Sequence, residues 1–247
     1  MMHHAKITLA TARRVLQQLL HDPRTLALLF IVPCVLLGLL AWIYSNAPTI
    51  YNQIGAPLLG IFPFVVMFLI TSITMLRERS SGTLERLLTM PVARGDILFG
   101  YAITFGSLAV VQALVASTLA LKVYGLTVLG PDWFLVVVAL ADALLGTTLG
   151  LFVSAFARTE FQAIQFFPAF ILPQFLLCGL LMPLAQLPRI LHDIAQCLPL
   201  TYAVDAMQRV TTHTQLTNEL YRDVAVVLAF ALAAVILGAT TLRRQTK

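Results

Sequence analysis

The sequence predicts an all-α integral membrane protein. Apolar residues make up 59% of the 247-residue chain and charged residues only 11%, whereas an ordinary globular domain carries about 25% charged residues. Several long stretches contain no Asp, Glu, Lys or Arg, and the longest covers residues 25–76. None of these stretches alternates apolar and polar residues as a transmembrane β-strand does. Helices that cross the bilayer are therefore the expected elements.

We predict six membrane spans, because a helix needs about 20 apolar residues to cross a hydrocarbon core about 30 Å thick. The first stretch is too long for one crossing, and Asn46, Pro48, Asn52 and Pro57 are expected to break it into two. The whole chain, residues 1–247, then forms a single transmembrane domain. The predicted spans are about residues 25–45, 56–76, 97–121, 133–155, 162–182 and 223–242.

The distribution of Lys and Arg predicts the orientation. Twelve of the 16 basic residues fall on the side that holds both termini and the loop after the second span, and four fall on the other side. By the positive-inside rule, both termini and that loop are predicted to be cytoplasmic. This topology also explains the basic balance of the chain, so a nucleic-acid partner is not expected.

Residues 1–24 are predicted to form an amphipathic helix that lies on the inner leaflet. A cytosolic helix packed on another subunit is the alternative. At about 100° per residue, one arc of the helix is apolar and the opposite arc is basic and polar. The apolar arc contains Leu9, Ala12, Val15, Leu16, Leu19 and Leu20, and the polar arc contains Lys6, Arg13, Arg14, Gln17, Gln18 and His21.

Residues 80–91, in the loop after the second span, are predicted to form a short amphipathic helix. Leu84, Leu87 and Leu88 recur at helical spacing, and Pro91 ends the helix. Gly82 permits a sharp change of direction where the chain leaves the second span. On the spacing alone, an ordinary cytoplasmic turn with solvated charges is the alternative.

The sequence contains no motif for catalysis or nucleotide binding. No Gly-x-x-x-x-Gly-Lys-Ser/Thr loop and no clustered carboxylates are present. Cys34, Cys178 and Cys197 have neither the spacing of a zinc site nor that of a disulfide framework. We therefore expect no catalytic residue, no metal site and no cofactor bound by this chain.

Asp142 is an acid inside a predicted span, roughly 14 Å from its outer edge. Gly146 and Gly150 share its helical face, and their GxxxG spacing favours the close approach of another helix. Intramembrane acids are functional candidates by default. Asp142 is therefore a candidate for a translocation pathway, with Gln112 and Gln165 as weaker candidates. The alternative is that Asp142 is protonated and holds a hydrogen bond between helices.

Residues 183–211, on the outer side, are predicted to form short helices separated by prolines. An ordinary surface loop with two half-buried helices is the alternative. One apolar face is formed by Leu187, Ile190, Leu191 and Ile194, and another by Tyr202, Ala203, Ala206, Met207 and Val210.

Two segments resemble a known family. Residues 78–88 (ERSSGTLERLL), followed by Pro91, are similar to the first cytoplasmic loop of the ABC transporter type-2 permeases. These permeases are the membrane subunits of bacterial drug, lipid and polysaccharide exporters. Residues 198–206 (LPLTYAVDA) resemble the second stretch that the family shares. Met90 and Tyr101 depart from the usual family pattern.

The resemblance implies that residues 80–91 are a coupling helix that docks on a separate ATPase subunit. Two such subunits per complex would bind ATP and Mg, and the permease would pair with a second copy of itself or with a related permease. The implied ATPase contacts are Glu78, Arg79, Gly82, Thr83, Glu85, Arg86, Leu87 and Leu88.

The resemblance also implies that residues 183–211 form re-entrant helices that gate substrate release, with Pro199, Tyr202 and Asp205 at the outer gate. The expected location is the bacterial cytoplasmic (inner) membrane. The expected function is export of an amphipathic, antibiotic or lipid-like substrate out of the cytoplasm or inner leaflet. A self-sufficient, proton-coupled transporter that uses Asp142 is the alternative function.

Overall fold

The computed structural model describes residues 2–81 and 94–241, which form helices and no strand. The predicted all-α class is confirmed. From its third residue on, the predicted coupling helix 80–91 lies outside the described residues. The helices are α1 (Met2–Leu20), α2 (Pro23–Ile43), α3 (Pro48–Ser80), α4 (Arg94–Lys122), α5 (Asp132–Ser154), α6 (Glu160–Leu177), a 3-10 turn (Leu184–Gln186), α7 (Arg189–Gln196), α8 (Pro199–Thr212) and α9 (Asn218–Thr241).

Five of the described helices, α2, α3, α4, α5 and α9, are long and apolar enough to cross a membrane. The predicted span 162–182 corresponds to α6, which is not among these five. This helix ends at Leu177, before the predicted end of the span, and Gly179 follows with φ +89°. Residues other than glycine rarely adopt this conformation. The count of six spans stays a prediction.

The break between the first two spans is shorter than predicted. Helix α3 begins at Pro48, where a missing N–H costs nothing, and it continues through Asn52 and Pro57, which were expected to interrupt it. The Asn52 amide donates to Thr127 Oγ1 (2.6 Å) and accepts from the Thr127 N–H (3.0 Å), so it is satisfied within the bundle. With 33 residues, α3 is about 50 Å long and exceeds the hydrocarbon core.

Helices α3 and α5 form the centre of the bundle. Helices α2, α4 and α6 pack on α3, and α4 and α9 pack on α5. Helix α8 lies among α3, α5 and α9, and α1 packs on α4. We use "inner end" for the end that carries Ser80, Ser154 and α1, and "outer end" for the opposite one, following the predicted topology.

Two glycines of α5 bring it against the backbone of α3. A Cβ atom added to Gly146 would collide with the carbonyl oxygen of Phe64, and one added to Gly150 would lie 2.5 Å from that of Phe68. No side chain fits at these distances. The close helix approach predicted from the GxxxG spacing is confirmed.

One turn closer to the outer end, the glycine lies on α3 and the larger residue on α5. A Cβ atom at Gly60 would lie 3.0 Å from Asp142 Oδ2. Gly60 contacts Asp142, Phe64 contacts Gly146, and Phe68 contacts Gly150. These contacts recur every four residues on both helices. We call these six residues the glycine seam.

Part of the predicted apolar arc of α1 is buried in the bundle, namely Ala12, Val15 and Leu19. Thr11 is buried with Ala12, and the carbonyl of Ala12 accepts a hydrogen bond from Thr104 Oγ1 of α4 (2.9 Å). Leu9, from the same apolar arc, is 63% exposed, and Arg14, from the polar arc, has partners on α3 and α4. The contact of α1 with the inner leaflet stays a prediction.

We expect Gly146→Ala to destabilise the protein strongly, because the new methyl group must separate α3 from α5. Overpacking of this kind costs about 1–3 kcal/mol or more. The matched control is Gly106→Ala, because a Cβ there would meet only the flexible tip of Leu144 at 3.4 Å. Thermal unfolding of both variants in detergent checks this, and equal midpoints for both would contradict the account of the seam.

Candidate functional site

The last turn of α3 carries three consecutive charged residues, Arg77, Glu78 and Arg79, just before the predicted coupling helix. The second predicted span was expected to end at residue 76, but helix α3 continues to Ser80. Each of the three side chains has a partner on a different part of the bundle. We call these three residues and their partners the inner-end cluster.

Glu78 connects α3 to α1 and α4. Its side chain is largely buried, and its carboxylate lies 3.4 Å from Arg14 Nη2 of α1. The same Arg14 nitrogen donates to the hydroxyl of Tyr101 in α4, at 2.7 Å. A buried carboxylate requires such a partner, because an unpaired charge is costly away from water. This requirement explains why Arg14 turns inward.

Arg77 and Arg79 connect the same turn to α6 and α5. Arg79 Nη1 donates to the carbonyl of Ser154, at the C-terminus of α5, over 2.5 Å. Cations are favoured there because helix C-termini carry partial negative charge. Arg77 forms two hydrogen bonds to Glu160 at the start of α6, at 2.8 and 3.1 Å. These bonds lower the pKa of Glu160, but water screens this exposed pair.

The inner-end cluster includes two of the predicted ATPase contacts, Glu78 and Arg79. Their side chains have partners within this chain and hold the end of α3 in place. Their contact with an ATPase subunit stays a prediction. The other predicted contacts, Gly82, Thr83, Glu85, Arg86, Leu87 and Leu88, lie outside the described residues.

A cavity of about 270 Å³ lies beside the cluster, between α1, the α1–α2 turn and the end of α3. Val15 and Leu19 form its apolar wall, and Asp22, Thr74 and Glu78 are among its polar lining residues. Asp22 is already engaged, because it caps α2 through the N–H and hydroxyl of Thr25.

The three candidate pathway residues face different neighbours. Gln112 Nε2 donates to the carbonyl of Leu29 in α2, at 2.7 Å. This carbonyl lacks its helical partner because Pro33 has no N–H, so Gln112 completes the hydrogen bonding of α2. Gln165 is exposed on α6.

Asp142 lies in the glycine seam and is 1% exposed. Its Oδ1 atom has no hydrogen-bond partner among the described residues. A buried oxygen without a partner is costly, so the carboxyl group is a functional candidate. A role for Asp142 in a translocation pathway stays a prediction.

Residues 183–211 form the outer layer with the α4–α5 loop. Pro199 is the first residue of α8 and is buried, and the Tyr202 hydroxyl donates to the carbonyl of Gln196 at the end of α7 (2.7 Å). The N–H of Gly130 in the α4–α5 loop donates to the carbonyl of Val210 (2.9 Å). Helix α8 is therefore part of the packed bundle and does not lie in a surface loop.

Asp205, the third predicted gate residue, belongs to an ion-pair network that joins α8 to α9. Its carboxylate accepts from Arg209 Nε at 3.0 Å, and Arg209 also pairs with Glu219 and with Asp223. Asp223 is fully buried and has Arg222 as a second partner, at 3.0 Å. Burial lowers the pKa of Arg209, but Asp205 and Glu219 outweigh this effect and raise it.

Several residues of these sites were not predicted from the sequence. The spacing of Asp205 and Arg209, four residues apart, is a signal for an ion pair on one helical face. Arg14, Tyr101 and Gly60 carry no such local signal, because their partners lie far away along the chain.

Long apolar helices around a closely packed central pair, with a charged cluster at the inner end, are typical of a multi-pass membrane protein. Residues 7–212 match the family model of the ABC-2 type transporters. Because this match covers most of the chain, the chain belongs to the ABC-2 type transporter family and is a membrane-embedded permease.

Similar proteins carry related descriptions. "ABC transporter G family member 20" of Dictyostelium discoideum is 29% identical over 167 residues, which are 67% of this chain and 23% of that protein. "Linearmycin resistance permease protein LnrN" of Bacillus subtilis is 26% identical over 170 residues, 69% of this chain and 44% of that protein. "Probable multidrug ABC transporter permease YbhR" of Escherichia coli is 25% identical over 155 residues, which are 62% of this chain and 42% of that protein. The matched region thus spans less than half of each relative.

We expect Arg209→Gln to destabilise the outer layer, because it removes one of the two cationic partners of buried Asp223. Loss of a partner from a buried polar group costs about 1–3 kcal/mol. Adding Asp223→Asn should recover part of this loss, since the unpaired charge is then gone.

The control for this variant is Lys122→Gln, which breaks an exposed pair with Asp132 at 3.9 Å that is worth less than about 1 kcal/mol. Thermal unfolding midpoints provide the comparison. If Arg209→Gln unfolds at the same temperature as Lys122→Gln, the network does not hold α8 to α9.

Proposed function

We propose that this chain is the membrane subunit of an ATP-driven exporter and that residues 80–91 receive the force from a separate ATPase subunit. The inner-end cluster carries the proposal. In the turn that immediately precedes this segment, Glu78 and Arg79 engage α1, α4 and α5, and Arg77 engages α6. A displacement of the segment is therefore passed to four neighbouring helices and not to α3 alone.

The ATPase is proposed as a separate partner because the sequence contains no Gly-x-x-x-x-Gly-Lys-Ser/Thr loop. One relative is described as a probable multidrug ABC transporter permease, and the family normally works with an ATPase subunit. We propose two ATPase copies, which bind ATP and Mg, at the cytoplasmic face. The twelve basic residues on the predicted inner side support a cytoplasmic location for that face and for both termini.

The surface of α6 supports pairing with a second permease, either a copy of this chain or a related one. Gln165, Pro168 and Pro173 are exposed on this helix beside Phe161, Phe170 and other large apolar residues. Each proline leaves a backbone carbonyl without its helical partner. Exposed amides and free carbonyls are unfavourable in hydrocarbon, so this face suits contact with protein or with a water-filled path between two permeases.

The proposed substrate is amphipathic, either drug-like or lipid-like. Residues 161–188 contain no Asp, Glu, Lys or Arg, so the face of α6 is suited to an apolar body without a strong charge. Two relatives are described as a linearmycin resistance permease and a probable multidrug permease. We propose export out of the cytoplasm or inner leaflet across a bacterial inner membrane.

A second candidate function, proton-coupled transport without an ATPase, is favoured by one observation. The buried carboxyl group of Asp142 has no partner at Oδ1 within the described part of the chain. Uptake of a hydrophobic dye into inside-out vesicles separates the two functions. The exporter requires ATP and the co-expressed ATPase subunit, whereas the carrier requires only a proton gradient and loses its activity with Asp142→Asn.

We expect simultaneous reversal of Glu85 and Arg86 to reduce recovery of the ATPase subunit with the affinity-tagged chain by about tenfold or more, the effect of losing about 1.4 kcal/mol of binding. The reason is that a partner surface complementary to these charges would then repel them. The measurement is the molar ratio of ATP-binding-cassette protein to tagged chain.

The matched control reverses Lys122 and Asp132, an exposed pair at the outer end, and should leave this ratio unchanged. Equal recovery with the Glu85 and Arg86 reversal and with the control would contradict the assigned contact. If wild-type chain recovers no ATP-binding-cassette protein from its native membrane, the exporter proposal is wrong.

A further inference from the structure

Helices α3 and α5 are joined along most of their common length. The glycine seam holds them together at three successive turns, from Gly60 and Asp142 to Phe68 and Gly150. Closer to the inner end, Arg79 donates to the carbonyl of Ser154. Packed backbones of this kind cannot slide without collisions. The two helices therefore form one rigid unit, which we call the α3–α5 rod.

The outer part of the rod packs on α8, and one contact, at Gly60, is sterically tight. A Cβ atom at Gly60 would lie 3.1 Å from Met207 Cε and 3.0 Å from Asp142 Oδ2. Met207 and Asp142 are each 1% exposed. Gly60 thus leaves a gap in α3 that is filled from one side by the carboxyl group of α5 and from the other by the thioether of α8.

Helix α8 also has attachments outside the rod. Its C-terminal carbonyls accept from the α4–α5 loop, where Gly130 N–H bonds to Val210. Its Arg209 pairs with Glu219 and Asp223 of α9. Because α9 packs on α5 as well, a displacement of the rod shifts α8 relative to α9 or to the loop only where these do not follow the rod.

We propose that the Gly60–Asp142–Met207 contact is the junction through which the α3–α5 rod carries movement of residues 80–91 to α8. The inference rests on the proposed function, because it needs a force applied at the inner end. Gly60 and Met207 are positioning residues in this scheme: they set where α8 sits on the rod. The carboxyl group of Asp142 serves as the third member of the junction.

Gly60→Ala is the perturbation that addresses this contact most selectively. Its methyl group would lie within 3.0–3.1 Å of two neighbours, so they must yield by a few tenths of an ångström. The flexible end of Met207 can yield more easily than the Asp142 carboxyl, which is held at the seam. Met207→Leu removes the reaching methyl group at nearly constant volume. The double variant, Gly60→Ala with Met207→Leu, therefore tests whether the contact with Met207 causes the effect of Gly60→Ala.

The experiment measures the distance between spin labels at Gln53, exposed on α3, and Thr212, exposed at the end of α8. The chain is purified in complex with its ATPase subunit and studied without nucleotide and with ATP plus vanadate. ATP hydrolysis by the same complex is recorded in parallel. Gly106→Ala is the control, because its Cβ would meet only Leu144 at ordinary contact distance.

In the wild-type complex and in Gly106→Ala, we expect ATP to change the label distance. Gly60→Ala should lose most of this change while ATP hydrolysis stays within about twofold, a difference below about 0.4 kcal/mol in barrier height. Gly60→Ala with Met207→Leu should regain it. A merely structural defect would lower ATP hydrolysis and stability together.

Two results would overturn the inference: a full nucleotide response in Gly60→Ala, or failure of Met207→Leu to restore it. The inference would also be overturned if the distance between the labels in the wild-type complex did not change on addition of ATP. Failure of the chain to form any complex with an ATPase subunit is a different outcome and counts against the proposed function.

Discussion

The close approach of α3 and α5 is the constraint on which the rest of the structure depends. Backbone contact at Gly146 and Gly150 leaves no room for any larger residue, so the register of the two helices is set to within one turn. Small-residue interfaces of this kind suit a membrane, where apolar burial does not drive helices together and close van der Waals packing must do so. The other helices are arranged around this pair.

The polar residues then occupy positions that the central pair defines. At the inner end, Arg79 reaches the C-terminus of α5 because the seam brings the two helix ends together. Towards the outer end, Gly60 accommodates the Asp142 carboxyl, and α8 packs against both. The charged groups of α8 and α9 complete the outer layer. A continuous series of packed contacts therefore connects the end of α3 near residue 80 to α8.

The sequence was informative where a property is local or periodic. Length and apolarity identified the long helices, and the spacing of Gly146 and Gly150 predicted their close packing. The sequence was uninformative where the outcome depends on which helices become neighbours. Periodicity assigned Arg14 to the polar arc of α1, but it could not reveal its partner Glu78, which is 64 residues away. Similarly, nothing near Gln112 reveals that it bonds to a carbonyl that Pro33 frees in α2.

The rigidity of the α3–α5 rod is tested most directly by two diagonal distances across it. Spin labels at Gln53 and at Phe156, two residues beyond the end of α5, measure one diagonal, and labels at Ser80 and Val137 measure the other; all four positions are exposed. The distances are compared in the complex with the ATPase subunit, with and without ATP. The account predicts that both diagonals stay constant while ATP is bound and hydrolysed. A change in either diagonal would show that α3 and α5 slide or separate, and would contradict the rod.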